Sequence, residues 1–320
     1  MAEQVAAPYA VQPLWALCVH CMQHPEDELA LQKLLAGCRG TGRHVLRRAH
    51  STSLLSTRMA FRPYQGEGTL SVSQTIPQFL TRGRRTDAVA ARVRLHITRR
   101  LKVGVLYDDS SSMTARWRNH YFPYNPLTEE TAPQTGAKVG ALCLLEAFGS
   151  EADLIFAAFG SAVAGPYLRR REIYRALLER NGSGGTRLDL ALEALFRHPW
   201  HSSGGTRVVV VLTDGVPETG LQAAEEDVKI QRRSLALVQK LLAGGTGVVW
   251  VPILTDERLA RFRIGECDAV SFSERLARMG AEVAPVKETD RLLESLFGGV
   301  ARLLRRWEES EGKHLLSGGT

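Results

Sequence analysis

Uninterrupted apolar runs, each cut off by polar residues, organise the chain from residue 101 onward. Residues 101–107 (LKVGVLY) and 207–212 (RVVVVL) are short, valine-rich and without polar alternation, the pattern of strands covered on both faces of a parallel sheet. Residues 247–254 (GVVWVPIL) repeat it. Between these runs the apolar spacing changes to the helical period. Residues 137–148, 172–179, 188–196 and 225–242 predict helices, the last with Val238, Leu241 and Leu242 on an inward stripe and Arg232, Arg233 and Lys240 in water. Residues 152–159 predict a second strand, 162–168 a short edge strand and 282–286 the last strand. A closing helix over 290–307 puts Leu292, Leu293, Leu296, Val300, Leu303 and Leu304 at core spacing. Strands alternating with helices predict an α/β domain over 101–307, a doubly wound, mostly parallel sheet with helices on both faces.

The first hundred residues read differently. Short helices are expected over 12–22, 26–35 and 42–56, with Pro25 and the glycine-containing stretch 37–42 between them. Residues 62–68 read as a linker, and 71–80 with 88–97 as a basic lead-in to the first core strand. The expected organisation is a smaller, mainly helical N-terminal region (1–61), a basic lead-in (62–100), the α/β domain (101–307) and a flexible polar tail (308–320).

Candidate chemistry lies where the apolar runs stop. Asp108-Asp109-Ser110-Ser111-Ser112-Met113 follows the first run directly and Thr213-Asp214-Gly215 follows the second, at the carboxyl ends of the expected strands. Open α/β sheets bind ligands in the crevice outside those ends. Gly184-Gly185-Thr186 opens the helix that begins near Leu188. Two carboxylates and three hydroxyls suit a hard cation such as Mg²⁺, which takes oxygen ligands and keeps positions open for water or an incoming group. Each segment alone could be an ordinary cap or turn; their order and their placement at element junctions point to one site. A phosphoaspartate mechanism needs a second Asp two places after the first, where Ser110 stands, and no Gly-x-x-x-x-Gly-Lys-Ser/Thr phosphate loop occurs.

A strand followed by Asp-x-Ser-x-Ser-Met, then Gly-Gly-Thr opening a helix, then a strand ending in Thr-Asp-Gly resembles the metal-ion-dependent adhesion site of the von Willebrand factor A (VWA) domain family, whose fold is Rossmann-like. The resemblance implies that Ser110 and Ser112 bind Mg²⁺ (or Mn²⁺) directly, Thr186 directly or through water, and Asp108 and Asp214 mainly through water. A cation held mostly by neutral oxygens stays under-neutralised, so the resemblance also implies a partner protein that supplies a Glu or Asp. The chain departs from the common pattern at Ser111, where Gly is usual, and at Asp109, which adds a carboxylate able to tighten the cation or to repel an acidic partner. The lead-in GTLSVSQTIPQFLTRGRR resembles that of intracellular VWA proteins of the CoxE type and, more loosely, of magnesium chelatase D subunits. That implies an adaptor or co-chaperone of a MoxR-type AAA+ ATPase in protein remodelling or metalloenzyme maturation.

Composition bounds the alternatives. With 44% hydrophobic and 23% charged residues the 320-residue chain is of the soluble globular class, and no run is long and apolar enough to cross a bilayer. The start MAEQVAAPYAVQPLW lacks a secretory pattern, so a cytoplasmic protein without membrane association is expected. Residues 1–100 hold 14 Lys and Arg against 6 Asp and Glu, while 101–320 hold 27 against 28, so the net charge of +7 lies in the N-terminal part. Arg82, Arg84, Arg85, Arg99 and Arg100 form a basic patch. It sustains the alternative of a nucleic-acid-associated VWA protein, although no aromatic interleaving accompanies it. Residues 114–134 insert Trp117, His120, Tyr121, Phe122 and Tyr124 beside the expected cation, as a partner-contacting loop or a self-packed lid; Asp109, Trp117, Tyr121 and Phe122 are the candidate partner contacts. Cys18-x-x-Cys21 with Cys38 and nearby histidines suggests zinc, but no second Cys-x-x-Cys completes four ligands, and core thiols on a helix account for the same residues. Beyond Asp109 and His120 no general base presents itself, so a binding protein and not an enzyme is expected.

Overall fold

The computed structural model describes residues 11–49, 58–63, 69–70, 90–95, 101–113, 133–149, 152–179, 184–202, 205–221, 223–254, 260–288 and 291–317. They fall into two compact units, one of Thr52–Arg100 and one of Met1–Ser51 with Leu101–Thr320. The smaller holds an antiparallel sheet of β1 (Arg58–Pro63), β2 (Thr69–Leu70) and β3 (Ala90–Leu95), with β3 central. Arg92 pairs with Phe61 on one side and Thr69 on the other. Strand β1 therefore extends into the stretch expected as a linker. Arg82, Arg84, Arg85, Arg99 and Arg100 lie outside the described residues.

The larger unit is built on β4 (Leu101–Asp108), β5 (Ala152–Phe159), β6 (Val163–Tyr167), β7 (Thr206–Thr213), β8 (Thr246–Pro252) and β9 (Glu282–Val283). Their order is β6-β5-β4-β7-β8-β9, parallel throughout except for β6, which runs antiparallel at one edge. This is a doubly wound, Rossmann-like α/β sheet. Two-sided burial explains the uninterrupted runs: Val103, Val105, Leu106, Val208, Val209, Val210, Val211 and Leu212 are each at most 1% exposed. Val163–Tyr167 is only partly covered, as an edge strand must be.

The helices α3 (Pro133–Phe148), α4 (Arg170–Glu179), α5 (Leu188–Arg197), α6 (Ala224–Ala243), α7 (Ala269–Arg278) and α8 (Leu292–Ser317) complete it. Helix α7 had no counterpart in the sequence reading. Its signals are local: Asp268 accepts the Ser271 N–H at 2.6 Å while Ser271 Oγ accepts the Asp268 N–H at 3.0 Å, a reciprocal cap, and Phe272 and Leu276 are fully buried. Helix α8 continues through the segment expected as a loose tail, where Glu, Lys and Leu favour helix.

The N-terminal residues form α1 (Val11–Gln23) and one long helix α2 (Glu28–Ala49) in place of two short ones. The expected break at 37–42 is a place of close approach. A Cβ at Gly42 would stand 2.3 Å from the carbonyl oxygen of Cys143, so its glycine lets α2 lie against the backbone of α3. Glu146 of α3, 1% exposed, takes Arg39 of α2 at 2.7 Å, Arg170 of α4 at 3.8 Å and the Tyr174 hydroxyl. A buried carboxylate shared in this way holds three helices in one arrangement. No helix among the described residues is long and apolar enough to cross a membrane.

Candidate metal centre

Strands β4 and β7 are neighbours in space, and their carboxyl ends deliver the two aspartates to one place. Tyr107 pairs with Leu212, so Asp108 and Thr213-Asp214 leave the sheet side by side at its switch point. Asp108 is fully buried. Its Oδ1 accepts the backbone N–H of Ser110 at 2.9 Å and its Oδ2 accepts the Thr213 hydroxyl. Loss of solvent, and then the charge of Asp214, raise this carboxyl to about 8 despite those hydrogen bonds. A buried carboxylate that feels the charge of a second one calls for a positive charge between or beside them.

The serine loop turns through a short 3₁₀ segment, Ser111–Met113, anchored by the buried Met113. That turn brings Ser110 Oγ to 2.9 Å from Ser112 Oγ, and Ser112 Oγ donates to Asp214 Oδ1 at 2.8 Å. Three oxygens from two strands thus lie in a chain with separations of 2.8 and 2.9 Å. Octahedral ligands at the Mg²⁺–oxygen distance of about 2.0–2.1 Å have neighbours about 2.8–3.0 Å apart, whereas the Ca²⁺ distance of about 2.3–2.6 Å would open them to about 3.3–3.7 Å. Separations of this length are those of O–H···O hydrogen bonds, and they also match neighbouring ligands of one Mg²⁺ ion.

The threonine loop is fastened to the same centre from below. Gly184, with φ of +73°, presents its carbonyl to the Ser111 N–H at 3.1 Å and the Ser111 hydroxyl at 2.9 Å. The Gly185 N–H donates to Ser161 Oγ at 2.9 Å, and Thr186 exchanges two backbone hydrogen bonds with Glu218 at 3.0 and 3.1 Å. A Cβ on Gly185 would meet the Thr219 carbonyl carbon at 2.3 Å, so the 184–186 and 218–220 segments touch backbone to backbone. Thr186 is 3% exposed at this junction. Just after it, Arg187 grips the buried Asp189 through two bonds of 2.9 Å and so fixes the start of α5. The departure at Ser111 is therefore structural: its hydroxyl ties one loop to the other.

Asp109, proposed from sequence as a partner contact, is 2% exposed, and its N–H donates to the Phe159 carbonyl at 2.7 Å. It belongs to the interior, where its charge helps to hold the Tyr107 phenol protonated after the larger effect of burial. Trp117, Tyr121 and Phe122 lie outside the described residues, as does His120. Sequence reasoning missed the anchoring roles of Thr213, Ser161 and Glu218. Thr213 could have been found from its position at the last residue of a buried strand; Ser161 and Glu218 carry no local signal.

Among the described residues no group of three or more His, Cys, Asp or Glu is placed to hold a metal ion. All five cysteines are buried and free, and burial pushes the Cys18 and Cys21 thiols up to about 12 and 11. They are core residues of α1, α2, α3 and the segment before α7.

No family model matches the sequence, and no curated protein does. Similar solved structures include a point mutant of the PilB minor pilin from Streptococcus sanguinis, at 13% identity and a TM-score of 0.49 over 69% of this chain and 66% of that one. The unmutated PilB minor pilin gives 13% and 0.45 over 67% and 63%. Manganese-loaded Plasmodium vivax TRAP protein gives 15% and 0.39 over 62% and 72%. This chain thus spans 66% and 63% of the two pilin chains. The fold assignment rests on the strand order and register of the chain itself.

Proposed function

We propose that the chain is a VWA-type, divalent-cation-dependent protein-binding module and that it binds without catalysing. The observation that carries this reading is the convergence of Ser110, Ser112 and Asp214 oxygens at the switch point of the sheet, with the buried Asp108 beside them. When bound, the cation supplies an electrophilic position that a carboxylate from outside can fill. Ser110 and Ser112 would hold it with neutral oxygens, Asp108 and Asp214 would set its field, and Thr186 would contribute its hydroxyl from the adjoining loop. The partner supplies the Glu or Asp.

The finer reading is a cytoplasmic adaptor or co-chaperone for a MoxR-type AAA+ ATPase, acting in protein remodelling or metalloenzyme maturation. The sequence resemblance of the 68–85 lead-in supports it. Titration calorimetry on the full chain tests the cation claim. Mg²⁺ and Mn²⁺ are expected to bind one site and Ca²⁺ at least about tenfold more weakly, since it would have to open the row of oxygens. Asp108→Ala is expected to abolish the signal. Equal affinity for all three ions, or unchanged binding in the variant, would remove the metal claim.

A further inference from the structure

The faces around the site are not uniform. Two of the most exposed large apolar side chains among the described residues, Leu221 at 82% and Phe262 at 64%, stand on loops at the carboxyl end of the sheet. Leu221 follows the Thr186–Glu218 pairing by three residues, and its N–H donates to Thr219 Oγ1 at 3.1 Å. Thr219 is held in turn by Asp227, 2% exposed, whose Oδ1 accepts both its N–H at 2.7 Å and its hydroxyl at 2.9 Å.

The loop that carries Phe262 is tied to the same helix two residues further on, at Ile264. Gln231, fully buried and one turn beyond Asp227 on α6, donates to the Ile264 carbonyl at 2.7 Å and the Pro217 carbonyl at 3.3 Å, and accepts the Glu266 N–H at 3.1 Å. Ile264 and Cys267 close the turn with two backbone bonds, and Arg232 and Arg275 clamp Glu266 beneath it. Two buried polar side chains at i and i+4 thus lock both loops to one helix and to each other. Buried polar residues are satisfied only at fixed geometry, so Leu221 and Phe262 are displayed on rigid supports. Phe262 lies between Arg261 and Arg263, both exposed, with Arg261 close enough to Asp268 to help lower its carboxyl below the usual range after the larger effects of its hydrogen bonds to Ser271. On the Leu221 side, Glu226 is paired with Lys229 at 3.3 Å.

We propose that Leu221 and Phe262, with Arg261 and Arg263, form the second half of the docking surface for the partner that binds at the cation. This rests on the reading given under Proposed function. Its occupant is an acidic protein segment: one carboxylate completes the cation, an aromatic or aliphatic side chain packs across Leu221 onto Phe262, and a second carboxylate meets Arg261 and Arg263. Arg261 and Arg263 beside Phe262, together with the cation expected at Ser110 and Ser112, would offer positive charge on either side of the apolar residues to a segment that reads acid, apolar, acid. Burying such an apolar centre within a charged rim is where binding energy concentrates.

The probe is a random linear peptide library selected on the full chain in Mg²⁺. Enriched peptides are expected to carry acid, apolar and acid in that order and to be released by EDTA. They should bind Leu221→Ser/Phe262→Ser at least about tenfold more weakly and lose a similar factor with Arg261→Glu/Arg263→Glu, while thermal melts of the variants stay unchanged. Peptides that need Mg²⁺ yet ignore all four substitutions would overturn the patch and leave the cation reading standing. Peptides that feel the substitutions and ignore EDTA would keep the patch and sink the cation reading. No acid–apolar consensus, or self-association of the chain that Phe262→Ser abolishes, would overturn the proposal.

Discussion

Gly185→Ala is expected to destabilise the protein by about 1–3 kcal/mol and to weaken divalent-cation binding at least about tenfold, because a single methyl group forces apart two segments that now touch. The added carbon would lie 2.3 Å from the Thr219 carbonyl carbon and 2.4 Å from its oxygen. Backbone is the obstacle, so no rotamer change relieves it. The 184–186 loop must lift, and with it go the Thr186–Glu218 pairing, the Gly185 bond to Ser161 and the position of the threonine hydroxyl. The control is Gly215→Ala, in the Thr-Asp-Gly turn itself, where an added Cβ meets nothing within 4 Å. That variant should be neutral or stabilised by less than about 1 kcal/mol, with unchanged affinity. Urea denaturation and calorimetry on the pair decide the point. Equal behaviour would mean that close apposition of the two loops does not shape the site.

Asp214→Asn should separate stability from function, moving them in opposite directions. The asparagine oxygen can still accept from Ser112, so the serine loop keeps its geometry, but the charge beside the buried Asp108 is gone. At neutral pH the cation-free variant is expected to gain about 0.5–2 kcal/mol, the usual reward for relieving a functional site of strain. Its affinity for Mg²⁺ is expected to fall at least about a hundredfold, at the upper end of what loss of a supporting carboxylate costs a metal site. Thermal melts with and without Mg²⁺ read both quantities. A variant that loses affinity and cation-free stability together would show Asp214 to be a structural residue, and the like-charge account of Asp108 would be wrong.

The sheet was legible in the sequence because burial on both faces leaves no alternative to an apolar run: β4, β5, β7 and β8 lie where the apolar stretches predict them. Polar residues placed directly after such runs are just as legible, which is why Asp108 and Asp214 could be named. What failed was any inference that needed a neighbour. The stretch 37–42 reads as a break between helices until Cys143 is seen against Gly42, and Asp109 reads as a partner contact beside the cation until it is found buried, with its N–H on the Phe159 carbonyl. Helix α7 escaped because its stripe is short, although Asp268 and Ser271 mark its start. Ser161 and Gln231 act on loops far off in sequence, with Gln231 reaching 33 residues ahead to Ile264, and no local pattern announces such a bond. Glu146 is the same case: in sequence it is one charge on an apolar helix, in the fold the junction of three helices.

Anomalous diffraction from a crystal grown or soaked in Mn²⁺ tests the central claim most directly. The account predicts one strong peak within about 2.0–2.3 Å of both Ser110 Oγ and Ser112 Oγ, on the side facing Asp214 and Thr186, with at least one position filled by solvent or by a carboxylate from a neighbouring molecule. A crystal that takes up Mn²⁺ only elsewhere, or shows no peak beside Ser110 and Ser112 at saturating Mn²⁺, would contradict it.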